Sequence, residues 1–258
     1  MPDLAPRILF LTLLPHVLPR ARPCAGFPRV RAPAGRVYDT IIRDKVSDKV
    51  TGREGALLDW LLGLDYTLFT WINGLAGRNV LADSAMKAFC NDHLVPFTLG
   101  FLALVMMLKG RDRDDDRRNI AAVVRLFLTV ALSAALMQLV ISIVHRPRPF
   151  VDHPVNLLFY RPVDWSFPSN PATATFSFFF SALLSDRRFG WWFLPPAFLM
   201  SFARVWCGVH YPGDVLAGIL LAFAAAYAVH RLDFLSRPFV SLAHGVESRL
   251  RSALSMRE

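Results

Sequence analysis

Five nearly unbroken apolar runs, at 94–108, 120–144, 171–184, 191–207 and 212–229, constrain this chain more than any other feature. Each is near the ~20 residues that a helical bilayer crossing requires, the first and third being short. Hydrophobic residues make up 54% of the 258 and charged residues only 19%, which argues against disorder and against an ordinary soluble domain. The runs are apolar on every face, whereas barrel strands alternate over segments of ~10 residues, so helices are the expected spanning form. Trp191 and Trp192 open the fourth run and Lys109 closes the first, as interfacial anchors do. The expected fold is all-α, a polytopic membrane helix bundle of about five transmembrane helices.

Residues 57–75 place Leu, Trp, Phe and Ile among Asp59, Asp65 and Asn73 at helical spacing, which predicts an N-terminal helix in the membrane interface. Residues 1–56 are rich in Arg and Pro without sustained periodicity and read as a disordered basic extension. The membrane domain proper is expected at 57–232. Residues 233–258 mix Leu, Val and Phe with Arg and Ser, an amphipathic tail expected on the cytoplasmic surface.

The formal charge of +9 suggests orientation in a membrane rather than a nucleic-acid partner, because no basic, aromatic-studded face recurs outside the apolar runs. Arg111, Arg113, Arg117 and Arg118 follow the first run, Arg187 and Arg188 the third, and Arg231, Arg237, Arg249 and Arg251 the last. Five crossings put all of these on one side, which should be cytoplasmic. Ten Lys or Arg within 1–53 would then lie outside, unless 57–75 also crosses. Cys24, Cys90 and Cys207 have no metal-ligand spacing and are odd in number, so neither a zinc site nor a disulfide framework is expected.

Three polar clusters interrupt the apolar runs: His145-Arg146-Pro147-Arg148-Pro149-Phe150, Phe167-Pro168-Ser169-Asn170-Pro171, and Arg204 to Asp214. Counting crossings brings all three to one membrane face, the extracytoplasmic one. Arg204 alone reads equally well as a side chain snorkelling to the interface; with Arg148 on the same face, the pair suits an anion, since guanidinium forks match phosphate oxygens. Ser169-Asn170-Pro171 predicts a helix start, with Ser or Asn at the cap and the backbone N–H groups of Ala172 and Thr173 turned toward the arginines. His210 precedes Tyr211-Pro212 and should sit on a connector. Asp214, in the first turn of the next helix, is placed to accept from one imidazole nitrogen and leave the other as nucleophile or base.

These clusters, in this order, resemble the type 2 phosphatidic acid phosphatase family of membrane lipid phosphatases. Arg204-x5-His210-x3-Asp214 is the most specific match, with "RPRPF" at 146–150 and "SFPS" at 166–169 beside it. The segments "LFTWINGLAG" at 68–77, "RPFV" at 148–151 and "SRPFVSL" at 236–242 look like the bacitracin-resistance branch, which dephosphorylates undecaprenyl diphosphate. The resemblance implies His210 as a nucleophile that becomes phosphohistidine, Asp214 as its orienting partner, and Arg148, Arg204 and Ser169, with Asn170 beside it, as phosphate holders. It implies no metal and no cofactor, a lipid diphosphate as substrate, and a bacterial cytoplasmic membrane as location.

The family's second motif ends in a histidine that protonates the leaving oxygen, and here that position is Pro171. The usual motif-one lysine is replaced by Ile141 and the serine before the motif-three arginine by Ala203. A general acid contributes about 10²- to 10⁴-fold and matters most for a poor leaving group. An alkoxide needs that proton, whereas phosphate leaving from a diphosphate does not, the second pKa of a phosphate monoester being about 6. The substitution therefore favours lipid diphosphates over monophosphates. His153 and His145 are candidate substitute acids. Two other functions remain open from the residues: a non-catalytic lipid-phosphate carrier, and a phosphotransferase that passes the phosphate from His210 to another acceptor.

Overall fold

The computed structural model describes residues 53–255, all of whose regular secondary structure is helical. The helices are α1 (Arg53–Asn73), α2 (Val80–Cys90), α3 (Leu94–Leu108), α4 (Arg113–Ile141), α5 (Asn170–Ser185), α6 (Leu194–Trp206), α7 (Pro212–Arg231) and α8 (Asp233–Ser255). One helical turn at Pro149–Asp152 interrupts the long connector between α4 and α5, and a 3₁₀ turn at Gly190–Phe193 leads into α6. Of the expected extension at 1–56, residues 1–52 lie outside the described residues and 53–56 form the first turn of α1.

Local chemistry accounts for most boundaries. Asn79 caps α2 by accepting from Leu81 N–H (2.9 Å) and Ala82 N–H (3.1 Å). Asp112 caps α4 by accepting from Asp115 N–H at 2.8 Å, and Asp114, Asp115 and Asp116 place negative charge at the positive end of the helix dipole. That cap starts α4 seven residues before the apolar run. Proline falls in the first turn of α5, α6 and α7, where a missing N–H is tolerated.

All five apolar runs become helix, but unequally. By length and composition α4, with 29 residues, and α7, with 20, are long and apolar enough to cross a membrane. The bent pair α2 and α3, 59° apart, makes a third if it is one span. Helices α5 and α6 have 16 and 13 residues, or about 24 and 20 Å at 1.5 Å per residue, short of a ~30 Å core. On these criteria two or three helices qualify as spans, where the sequence leads to about five, the first and third already short.

Helix α5 is packed against α4, α6 and α7 at the centre. Its inner residues Phe176, Phe179 and Ala182 join Leu99, Leu126 and Phe193 in the main core. Three hydroxyls within α5 are satisfied locally: Thr173 donates to Ser169 O (2.9 Å), Thr175 to Pro171 O (2.8 Å) and Ser177 to Thr173 O (2.7 Å). The close approach of α7 to α5 depends on Gly218, where a Cβ would lie 2.8 Å from both Ser169 O and Thr173 Oγ1. Phe97, Phe101, Ile143, Leu220 and Trp192 are exposed, as apolar side chains facing lipid are.

Helix α1, expected at the interface, exposes Trp60, Trp71 and most of its leucines. Its inward face carries Asp65, Phe69 and Asn73, spaced four residues apart. Phe69 meets Tyr211 edge-on at 5.3 Å, while Asn73 Nδ2 donates to Asn156 O (2.9 Å) and Trp206 O (2.8 Å). At the opposite end of the bundle Lys109 pairs with Asp186, and His244 of α8 lies 3.0 Å from Arg117 O. Thus the tail is a helix laid on α4 and α7.

Candidate active site

The chain leaves α6 at Trp206, reverses at Gly208, whose φ of +80° is open to glycine, and runs through Val209 and His210 into α7. His210 is fully enclosed on this connector. Its Nδ1 lies 2.9 Å from the carbonyl of Ser166. A carbonyl only accepts, so Nδ1 carries the proton and Nε2 keeps its lone pair. That lone pair faces Arg148 Nη1 at 3.1 Å, and the same nitrogen of Arg148 donates to Val209 O at 2.9 Å. Burial pushes the His210 imidazole below its ordinary pKa; Asp214 pulls it back up, and the charges of Arg148 and Arg204 add to the fall. The ring is neutral at neutral pH and its free nitrogen is nucleophilic.

Asp214 is the polar hub. Its Oδ1 accepts from Arg146 Nη1 at 2.8 Å, and its Oδ2 accepts from Tyr211 N–H at 2.8 Å and from Ser166 Oγ. Asp214 Oδ2 stands 3.7 Å from His210 Nδ1, outside hydrogen-bond reach. The expected direct carboxylate–imidazole bond is therefore replaced: the Ser166 carbonyl holds the ring, and Asp214 holds the Ser166 side chain and the start of α7. The Asp214 carboxylate is instead engaged by Tyr211 N–H, Ser166 Oγ and Arg146.

Arg146 extends the hub to α1. Its Nη2 donates to Asp65 Oδ2 at 2.7 Å and its guanidinium stacks 3.9 Å from the Tyr211 ring centroid. Asp65 Oδ1 in turn accepts from Gly213 N–H at 2.7 Å, satisfying one orphan donor of α7. Burial alone would weaken the Arg146 proton, yet Asp214 and Asp65 outweigh it and raise the pKa.

Of the other two arginines, Arg148 touches the imidazole and Arg204 acts on it through its charge. Arg148 donates from Nε to Asp164 O (2.9 Å) and from Nη2 to Asp164 Oδ1 (2.9 Å). Arg204, in the last turn of α6, pairs with Asp92 and stacks 4.9 Å from the Phe159 ring. Two buried polar atoms here have no partner, Arg204 Nε and Ser169 Oγ. Buried donors of this kind are rare and call for an account. Ser169 is the cap of α5, as expected, and its N–H donates to Asp214 O at 2.9 Å. Asn170 is exposed at the first helical position. The Thr173 N–H, expected to be free, is taken by Ser169 O at 2.9 Å, since the α-helical ladder already begins there. A cleft of about 430 Å³ opens at Arg148, between Pro147 and Val151 on one side and Val163 to Trp165 on the other.

The two candidate acids have different neighbours. His153 stacks on Tyr66 (4.2 Å) and meets Tyr211 edge-on (6.4 Å). His145 is exposed and packs against Trp165 (5.0 Å), a residue of the cleft. The structure thus brings His210, Asp214, Arg148, Ser169 and Arg204 to one end of the bundle. It adds five residues that the sequence reading left without a role: Asp65, Asp92, Arg146, Asp164 and Ser166. Arg146 and Ser166 stand inside quoted motifs; the three aspartates carry no local signal.

The pattern of the PAP2 superfamily matches residues 122–238. Undecaprenyl-diphosphatase BcrC of Bacillus subtilis (strain 168) is 30% identical over 179 residues, 69% of this chain and 89% of that protein. Lipid A 1-phosphatase of Rhizobium johnstonii is 34% identical over 109 residues, 40% of this chain and 44% of that protein. The crystal structure of Aquifex aeolicus LpxE superposes with a TM-score of 0.50 at 27% identity, covering 64% of this chain and 94% of that one.

Proposed function

The chain belongs to the PAP2 superfamily, and from that premise we propose that it is an integral membrane lipid phosphatase that removes the terminal phosphate of a polyprenyl diphosphate such as undecaprenyl diphosphate. The observation that carries this is the His210 imidazole. Its Nδ1 is fixed on Ser166 O and its Nε2 is turned to Arg148, so nucleophile and phosphate-binding group share one point. Relatives named for undecaprenyl-diphosphatase and lipid A 1-phosphatase activity support the same class of reaction.

In the reaction the terminal phosphate lies among Arg148, Arg204 and Ser169. The Nε2 lone pair attacks phosphorus while the bond to the bridging oxygen breaks; the lipid monophosphate leaves with that electron pair. The arginine forks meet the charge on the equatorial oxygens. The imidazolium that forms is held at Nδ1 by Ser166 O and lies 3.7 Å from the Asp214 carboxylate. Water then attacks the phosphohistidine, the P–N bond breaks, and inorganic phosphate is released. With Pro171 in place of the usual acid, departure of a phosphate is easy and departure of an alkoxide is not. With the crossings counted from the sequence, the positive-inside bias supports an extracytoplasmic site in a bacterial cytoplasmic membrane.

The test is phosphate release by purified protein in detergent with EDTA, comparing undecaprenyl diphosphate with phosphatidic acid and wild type with His210→Ala. His210-dependent release from the diphosphate is the expected result. Binding of lipid phosphate without release turns the protein into a carrier, and a phosphorylated acceptor into a phosphotransferase.

A further inference from the structure

Two kinds of ion pair meet in the site. Arg146 is matched by acids that are themselves enclosed, Asp214 at 0% side-chain exposure and Asp65 at 12%. Arg148 and Arg204 are equally enclosed, at 5% and 3%, but their acids are not: Asp164 is 58% exposed and Asp92 44%. A buried guanidinium requires a counter-charge. A carboxylate that is half in water can surrender the pair and recover hydration, whereas an enclosed one cannot. Both exposed acids also come from outside the helices, Asp164 from the connector before α5 and Asp92 from the break between α2 and α3. Asp164 lines the cleft beside Arg148.

We propose that Asp164 and Asp92 are exchangeable counter-ions of Arg148 and Arg204, stand-ins for phosphate oxygens that substrate displaces, and that they set the preference of the site for a diphosphate over a single phosphate. This rests on the phosphatase reading above. Asp164 holds the Arg148 fork through one carboxylate oxygen and its backbone carbonyl, and Asp92 meets Arg204 through one oxygen; a phosphate can offer a guanidinium fork two oxygens at once, so it can take over the place of each carboxylate. A lipid monophosphate brings a charge of about −1.5 to −2 and must displace two carboxylates of total charge −2. The exchange gains little. A diphosphate brings further charge and further acceptors, including some for Arg204 Nε and Ser169 Oγ, which the two acids leave without a partner. After the reaction, the returning carboxylates compete with the small phosphate product and speed its release.

The experiment uses the full chain in detergent with Asp164→Asn, Asp92→Asn and the double variant, each keeping shape and losing charge. Inorganic phosphate affinity is measured without turnover, alongside kcat/KM for undecaprenyl diphosphate and phosphatidic acid. The expected result is about tenfold tighter phosphate binding in each variant, with the diphosphate-to-monophosphate ratio of kcat/KM falling by at least as much. If the pairs merely orient the arginines, phosphate binds no tighter or more weakly in the variants, and the proposal is overturned while the phosphatase reading stands. Tighter phosphate binding with no lipid turnover even in wild type would instead sustain the exchange and overturn the phosphatase reading. Should the variants not fold, wild type itself reports: phosphate changes the emission of Trp165, the neighbour of Asp164, and Trp165→Phe removes that change. No Trp165-dependent change at saturating phosphate overturns the exchange.

Discussion

Asp65 and Asp214, 149 positions apart and on different helices, are joined by a single guanidinium: Arg146 donates 2.7 Å to the first and 2.8 Å to the second. The contact ties α1 to the carboxylate at the start of α7, beside the His210 connector. It gives the charged Asp65 a partner within a helix whose leucines are exposed.

Losing Asp65 should therefore loosen both ends. Asp65→Ala leaves Arg146 with half its counter-charge and Gly213 N–H without an acceptor, and breaking an enclosed pair costs about 3 kcal/mol. At this chain length that is a fall in Tm of roughly 6–12 °C. Asp65→Asn retains an acceptor for Gly213 and should lose less. Thermal unfolding in detergent orders the three proteins, and an alanine variant as stable as wild type would remove α1 from the site's support.

The pH profile should carry the signature of an enclosed imidazole. His210 has a pKa below its ordinary value of 6.5, chiefly through burial, and attack requires the neutral ring. Activity is then full at neutral pH and lost only as the pH falls through that depressed value. The linked stability has the same sign: a histidine that binds its proton more weakly folded than unfolded supports the fold above the unfolded pKa and withdraws that support as pH falls. Arg148→Ala removes a charge that lowers the pKa, so its acid limb should move upward while kcat drops. A limb that stays in place or moves down in Arg148→Ala contradicts the contact between Arg148 and Nε2.

What the sequence reveals depends on how local the cause is. The run at 94–108 becomes α3 without a change of boundary, and 212–229 becomes α7 with two residues added, because uninterrupted hydropathy is read over a single element. Helix α2 gives no such signal: it is short and carries Asp83 and Lys87, and Asp83 is held by contacts outside the helix, accepting from Trp206 Nε1 and Gly77 N–H at 3.0 Å. The site divides in the same way. His210, Asp214, Arg148, Arg204 and Ser169 are legible as motifs. Asp65 sits in an apolar helix and Asp164 in an unpatterned connector, so their roles exist only once the chain has folded back on itself.

Ser166 supplies two different things, and they can be separated. Its carbonyl holds His210 Nδ1, while its hydroxyl donates to Asp214. Ser166→Ala keeps the first and deletes the second, a hydrogen bond to a charged group worth about 1.5–3 kcal/mol. Turnover should fall by about 10- to 100-fold with the pH profile preserved, well short of the complete loss expected for His210→Ala. A loss in Ser166→Ala as complete as in His210→Ala would mean that Asp214, rather than the carbonyl, sets the ring.

Restoring the missing acid is the sharpest test of the leaving-group argument. Pro171 is in the first turn of α5, one residue past Asn170. Its carbonyl accepts from Thr175 Oγ1 at 2.8 Å, a backbone contact that any residue there can keep. Asn170→Gly together with Pro171→His recreates the usual second motif without touching the arginines. A general acid adds about 10²- to 10⁴-fold when the leaving group is an alkoxide. The double variant should thus gain at least tenfold in kcat/KM on phosphatidic acid and change far less on undecaprenyl diphosphate, whose leaving phosphate needs no proton. Equal gains on both lipids would mean that both leaving groups depend on an acid, and that the substitution at position 171 does not select the diphosphate.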